Sequence, residues 1–143
     1  METQFKFHVG LNVSNVEQSV KFYERLFSQE PVKVEKGYAK FELDNPGLVI
    51  SFIESPERVS PSFGHMGIRV NSKEELAAKK AEVEQFLDIA LEEKSTSCCY
   101  AVQDKFWVND PDGYEWEVYH FLKDDDQMGG KQSTGKKSLV ACC

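Results

Sequence analysis

The chain has 143 residues, with 17 Lys and Arg against 24 Asp and Glu and a formal net charge of −7. This acidic balance, without a basic stripe interleaved with aromatics, excludes a phosphate-tracking surface, so nucleic acid is not an expected partner. Apolar runs such as Leu48-Val49-Ile50 are too short to span a bilayer, and Met1-Glu2-Thr3 opens no charged-then-apolar leader. The expectation is a soluble, cytoplasmic protein with no membrane partner.

Phe7-His8-Val9-Gly10-Leu11-Asn12-Val13 alternates, with Val9, Leu11 and Val13 on one face and His8, Gly10 and Asn12 on the other. That pattern predicts a half-buried strand whose histidine lies opposite its apolar face. Ser14, followed three residues later by Glu17, reads as a capping box that opens a helix to about Ser28, with Val16, Val20, Tyr23 and Phe27 as its apolar stripe. Strands are expected at about 32–35, 38–43 and 48–54, the last preceded by the turn Asp44-Asn45-Pro46-Gly47. Residues 55–63, rich in Ser and Pro, read as a linker.

The order then repeats. Gly64-His65-Met66-Gly67-Ile68-Arg69-Val70 echoes the first strand, and Ser72 with Glu75 echoes the capping box. A strand at 64–70, a helix at about 73–88 and strands near 90–94, 106–108 and 115–121 follow, the last after the turn Asp110-Pro111-Asp112-Gly113. The Ser-, Thr- and Cys-rich stretch between Glu93 and Lys105 has weak periodicity and is expected to be a mobile loop over the site. Beyond Phe121, Asp124-Asp125-Asp126 and a Gly/Ser/Lys segment carry no apolar stripe and read as a flexible tail. The expected fold class is α+β: two tandem βαβββ modules, at about 5–54 and 64–122, in one domain over 1–122, with a tail at 123–143. Neither module, at roughly 60 residues, would be comfortable alone.

The repeat holds a histidine at the same point of both copies, which points to a metal site between the halves. On the last strand, alternation places Glu117 with Glu115 and Tyr119, opposite Trp116, Val118 and His120. If Trp116 and Val118 face the helices, Glu117 faces the cavity. His8, His65 and Glu117 then form two imidazoles and one carboxylate, the facial set that favours non-haem Fe(II) and leaves positions open for dioxygen and substrate. The residue matching Glu117 in the first half is Ser51, a poor metal ligand, so the fourth corner is expected to be open.

The cysteines come as Cys98-Cys99 and Cys142-Cys143, adjacent pairs unlike a secreted disulfide framework, and reduced thiols are expected. A terminal Cys-Cys after Lys136-Lys137 has the look of a prenylation signal, but no phosphate-binding loop accompanies it. Taken alone, Cys98-Cys99 fits a pair of small buried hydrophobes as well as a binding site.

His-x-Gly at both repeat starts, Phe22-Tyr23 with Leu26-Phe27 on the first helix, and Asp110-Pro111-Asp112-Gly113 before the closing Glu resemble the vicinal oxygen chelate superfamily. That group includes glyoxalase I, bleomycin-resistance proteins and extradiol dioxygenases. Cys98-Cys99-Tyr100-Ala101-Val102-Gln103-Asp104-Lys105 narrows the likeness to its organoarsenical carbon-arsenic lyases, some of them labelled cadmium-induced proteins. The resemblance covers about residues 5–121 and implies a glyoxalase-like fold. It implies Fe(II) as cofactor, dioxygen as cosubstrate and a trivalent methyl or aryl arsenical as partner, with arsenite released. His8, His65 and Glu117 would be the metal-binding catalytic residues, and Cys98 and Cys99 the arsenic-binding thiols. Tyr100, next to them in the chain, fits a substrate-binding pocket wall as well as plain packing. A homodimer is compatible with it. Two alternatives stay open from the residues: a glyoxalase-like metal-dependent isomerase or transferase, and a non-catalytic protein that sequesters a soft metal or a drug.

Overall fold

The structure, a computed structural model, describes residues 5–98 and 101–124, without the side chains of 97, 98 and 124. It divides into two compact units, the first reaching Ser60 and including Asp110–Asp112, the second made of Pro61–Asn109 and the chain from Gly113.

The first unit runs β1 (Phe7–Val13), α1 (Val16–Phe27), β2 (Lys33–Glu35), β3 (Tyr38–Leu43) and β4 (Leu48–Glu54). Its sheet has the order β1-β4-β3-β2. β1 lies parallel to β4, and the other neighbours are antiparallel. A parallel pair needs a long crossover, which α1 with the β2–β3 hairpin supplies. As expected, Leu11 and Val13 of β1 are buried while His8 and Gly10 are exposed.

The helix differs from expectation in two details. Its N-cap is Asn15, whose side chain accepts from the Gln18 amide. Ser14 instead donates its backbone N–H to Asp112 Oδ2 at 2.9 Å, and Glu54 Oε1 takes the Val16 amide. The buried stripe is Val16, Ser19, Phe22, Tyr23 and Leu26, with Val20 and Phe27 only half-buried. Tyr23 and Phe22 turn the stripe: Tyr23 stacks on Phe52 at 4.4 Å between centroids, and its hydroxyl donates to Asp110 Oδ2 at 2.7 Å. Phe27 and Phe52 both meet Phe41 edge-on, closing an aromatic core between α1 and the sheet.

The second unit repeats the order as β5 (Met66–Val70), α2 (Lys73–Glu84), β6 (Leu91–Cys98), β7 (Ala101–Asn109) and β8 (Glu115–Asp124), with sheet order β5-β8-β7-β6. Here the Ser72 cap forms as read, accepting from the Glu75 amide, while the Glu75 carboxylate reaches one residue past the cap to accept from the Asn71 amide. Phe106, Val108, Trp116 and Val118 are buried, but α2 buries only Val83 among its residues. The 55–63 segment holds two short 3-10 turns, Pro56–Arg58 and Pro61–Phe63. Among the described residues no helix is long and apolar enough to cross a membrane.

The expected loop between Glu93 and Lys105 is largely strand, because β6 runs to Cys98 and β7 starts at Ala101. The misreading has a physical cause. The register shifts between Glu93 and Thr96, where Ser95 adopts φ 49°, and again between Val102 and Gln103. Each irregularity breaks the two-residue period by which a strand is recognised in sequence. The 125–143 tail lies outside the described residues.

Candidate metal centre

In the second unit β5 pairs in parallel with β8, which sets Gly67 directly against Glu117. His65 stands two residues before Gly67, so its ring reaches the same side of the sheet. His65 Nε2 lies 3.5 Å from Glu117 Oε1. Gly67 makes room for this: a Cβ there would come within 2.7 Å of Glu117 Cγ and 3.2 Å of its carbonyl oxygen.

The other oxygen, Oε2, accepts from Lys105 Nζ at 3.0 Å. Lys105 comes from β7 and is 2 % exposed. Its ammonium lies 5.7 Å from the Trp107 ring centroid and 5.8 Å from that of Tyr119, between two aromatic walls. The His65 ring meets Trp107 edge-on at 5.0 Å. Burial works to raise the Glu117 pKa, but the hydrogen bond with His65 and the charge and hydrogen bond of Lys105 outweigh it, so the carboxyl titrates below its ordinary value. Glu117 is therefore an ionised, buried carboxylate held on one side by a cation and facing an imidazole on the other.

In the first unit the corresponding register sets Gly10 against Ser51. His8 is exposed on β1, and its Nε2 lies 3.5 Å from the Ser51 hydroxyl oxygen. His65 and Glu117 are thus brought together in one unit, and His8 is placed beside Ser51 in the other. Among the described residues no group of three or more His, Cys, Asp or Glu side chains is gathered as a metal site. Cys98 is the last residue of β6, opposite Ala101. Its side chain, and Cys99 and Tyr100 entirely, lie outside the described residues.

Lys105 is a site residue that composition and spacing missed, since a lysine in a strand reads as solvent-facing. A signal was present: the alternation Gln103-x-Lys105-x-Trp107 puts the lysine on one strand face with a tryptophan.

A model of the glyoxalase/bleomycin resistance protein/dioxygenase superfamily matches residues 7–118. The chain belongs to this superfamily. Among curated proteins it is similar to a trivalent organoarsenical cleaving enzyme of Bacillus sp. (strain MD1), 49% identical over 114 residues, covering 79% of this chain and 71% of that protein. It is also similar to a probable trivalent organoarsenical cleaving enzyme of Bacillus subtilis (strain 168), 41% identical over 136 residues, covering 95% of this chain and 88% of that one. Among solved structures, a glyoxalase/bleomycin resistance protein/dioxygenase from Alicyclobacillus acidocaldarius shares the fold, with a TM-score of 0.68 at 16% identity over 87% of this chain and 95% of that chain. The paired βαβββ units are those of the superfamily fold.

The spacing of the His65–Glu117 pair fits two coordination positions of a divalent metal. Two ligand atoms each about 2.1 Å from one ion stand roughly 3–3.4 Å apart, close to the 3.5 Å between His65 Nε2 and Glu117 Oε1. With Oε2 engaged by Lys105, Oε1 is the oxygen left to a metal.

Proposed function

We propose that the chain cleaves the carbon-arsenic bond of trivalent methyl or aryl arsenicals, releasing arsenite, in a reaction dependent on Fe(II) and dioxygen. The observation that carries the reading is Glu117: a buried, ionised carboxylate facing His65, at the position where the first repeat has Ser51. The names of the curated relatives supply the substrate class.

His65 and Glu117, with His8 as third ligand, would hold Fe(II). The metal, when bound, supplies the binding and activation of dioxygen. The carboxylate brings the anionic donor, and in the metal-free protein Lys105 engages one of its oxygens and leaves the other facing outward. Ser51 supplies no fourth donor, which argues against the four-ligand site of an isomerase.

Cys98 and Cys99 hold the substrate in this reading. Trivalent arsenic is thiophilic, and a monosubstituted arsenical has two exchangeable oxygen sites beside its carbon bond. Two neighbouring thiols form two As–S bonds while the two hydroxyls leave with the thiol protons as water, so the carbon-arsenic bond is the remaining substituent; binding is thereby converted into orientation. Tyr100, adjacent in sequence, is a candidate substrate contact in the same reading. The protein works in the cytoplasm, where its thiols stay reduced.

Anaerobic purification followed by metal analysis, then an assay of arsenite release from a trivalent methyl and a trivalent phenyl arsenical, tests the reading. Stoichiometric iron and oxygen-dependent release are expected. Removing iron with a chelator should abolish release, and re-adding Fe(II) should restore it. Replacing Cys98 by serine should spare iron while greatly weakening arsenical binding. Release that persists without iron or without oxygen would sink the reading.

A further inference from the structure

Lys105 passes over its nearest carboxylate. In the β6–β7 ladder Glu93 is directly opposite Lys105, whereas Glu117 belongs to the diagonal position, because its own cross-strand partner is Trp107. Directly opposed residues have Cβ atoms about 5 Å apart and diagonal ones about 7 Å. Lys105 nevertheless bonds Glu117 at 3.0 Å. Glu93 is buried at 8 % exposure, and its Oε2 has no hydrogen-bond partner among the described residues.

Its neighbours show that Glu93 shares the Lys105 face. Glu92 pairs with Lys80 of α2 on the helix side of the sheet, and Asp104 turns away from Lys105 to accept from the Ser95 amide. Burying an ammonium and two carboxylates is costly unless each finds partners. One cation engaged by one carboxylate, with a second buried Glu directly opposite it in the ladder and left with an orphan oxygen, is an arrangement that allows two settings.

We propose that Lys105 is a transferable counterion: it holds Glu117 in the metal-free protein and moves to Glu93 when a divalent cation binds Glu117. The inference rests on the reading of Glu117 as a metal ligand. A cation arriving at Oε1 places like charge across the same carboxylate from the Lys105 ammonium, and the repulsion falls if the ammonium leaves. Glu93 is the positioning residue that receives it, one lysine rotamer change away. The Trp107 and Tyr119 rings wall the ammonium.

The test is anaerobic calorimetric titration of the metal-free full chain with Co(II), a readout independent of turnover. Glu93→Gln, isosteric and without charge, is expected to weaken Co(II) binding about tenfold or more, because the ammonium then stays on Glu117. Lys105→Met removes the competitor and is expected to bind Co(II) at least as tightly as the wild type. The double variant should match Lys105→Met to within about threefold, so that the second substitution rescues the first. Wild-type affinity in Glu93→Gln, or additive losses in the double variant, would overturn the transfer. Should Glu93→Gln fail to fold, Lys105→Met decides alone, since a lysine that merely props Glu117 in place predicts a loss of about tenfold or more on its removal. Glu117→Ala separates the two layers: wild-type Co(II) affinity there overturns the metal reading and the transfer with it. Lost affinity there, with additive losses elsewhere, overturns the transfer alone.

Discussion

The two units use one chain order for different ends. In the first, α1 buries Phe22, Tyr23 and Leu26 against an aromatic sheet face. In the second, the repeat-equivalent positions of α2 are Lys79, Lys80 and Val83, and Val83 alone is buried. Lys80 instead pairs with Glu84 on the helix and Glu92 on β6, each at 3.3 Å. The opposite sheet face shows the reverse trend: Ser51 in the first unit, Glu117 with Lys105 and His65 in the second. One repeat concentrates packing, the other concentrates charge. A duplicated fold can divide these tasks because each copy needs only the shared strand order to form its sheet.

That contrast predicts a large asymmetry between the helices. Leu26→Ala leaves a cavity under α1 and should cost about 2–5 kcal/mol. Val83→Ala removes two methyl groups and should cost about 1.6 kcal/mol. Lys80→Ala should cost less than about 1 kcal/mol, because its pairs are solvent-screened. Urea unfolding of the three variants orders them, and a Lys80→Ala loss equal to that of Leu26→Ala would break the division of tasks.

A smaller difference separates the two glycines that begin the repeats. At Gly10 an added Cβ would meet Ser51 Oγ at 3.7 Å, an ordinary contact. At Gly67 it would meet Glu117 Cγ at 2.7 Å and the Glu117 carbonyl oxygen at 3.2 Å, and the backbone atom cannot swing aside. Gly67→Ala should therefore cost about 1–3 kcal/mol through overpacking and weaken metal binding by displacing Glu117. Gly10→Ala should stay within about 0.5 kcal/mol. Thermal unfolding with and without Co(II) measures both effects, and equal losses would show that the residue facing each glycine does not set what the position tolerates.

The histidine-glycine echo was legible because it depends on local alternation, which survives in β1 and β5. The same holds for Ser72, whose cap lies within three residues. Ser14 misled because a second acceptor, Glu54, and a better-placed Asn15 competed for the α1 amides, and sequence spacing ranks neither. Lys105 and Glu93 were invisible as a pair because their relation is a register, fixed by the β6–β7 ladder beside its shift between Glu93 and Thr96. The strands themselves were underestimated around Ser95 for the same reason.

The finest comparison concerns the caps. Ser72 accepts from the Glu75 amide at 3.0 Å, and Glu75 reciprocates by taking the Asn71 amide at 2.8 Å. At α1, Asn15 accepts from the Gln18 amide at 2.9 Å, while Glu54 independently takes the Val16 amide at 3.0 Å. Loss of an N-cap costs about 1 kcal/mol on average. Asn15→Ala should fall below that, because Glu54 still satisfies one orphan amide and the apolar stripe holds the helix in place. Ser72→Ala should reach or exceed it, because α2 has little buried surface to replace the cap and Glu75 loses its reciprocal geometry. Amide hydrogen exchange in the first turns of the two helices reads this directly. Faster exchange in α2 of Ser72→Ala than in α1 of Asn15→Ala is expected, and the reverse order would mean that α2 is anchored by something stronger than Val83 and its ion pairs.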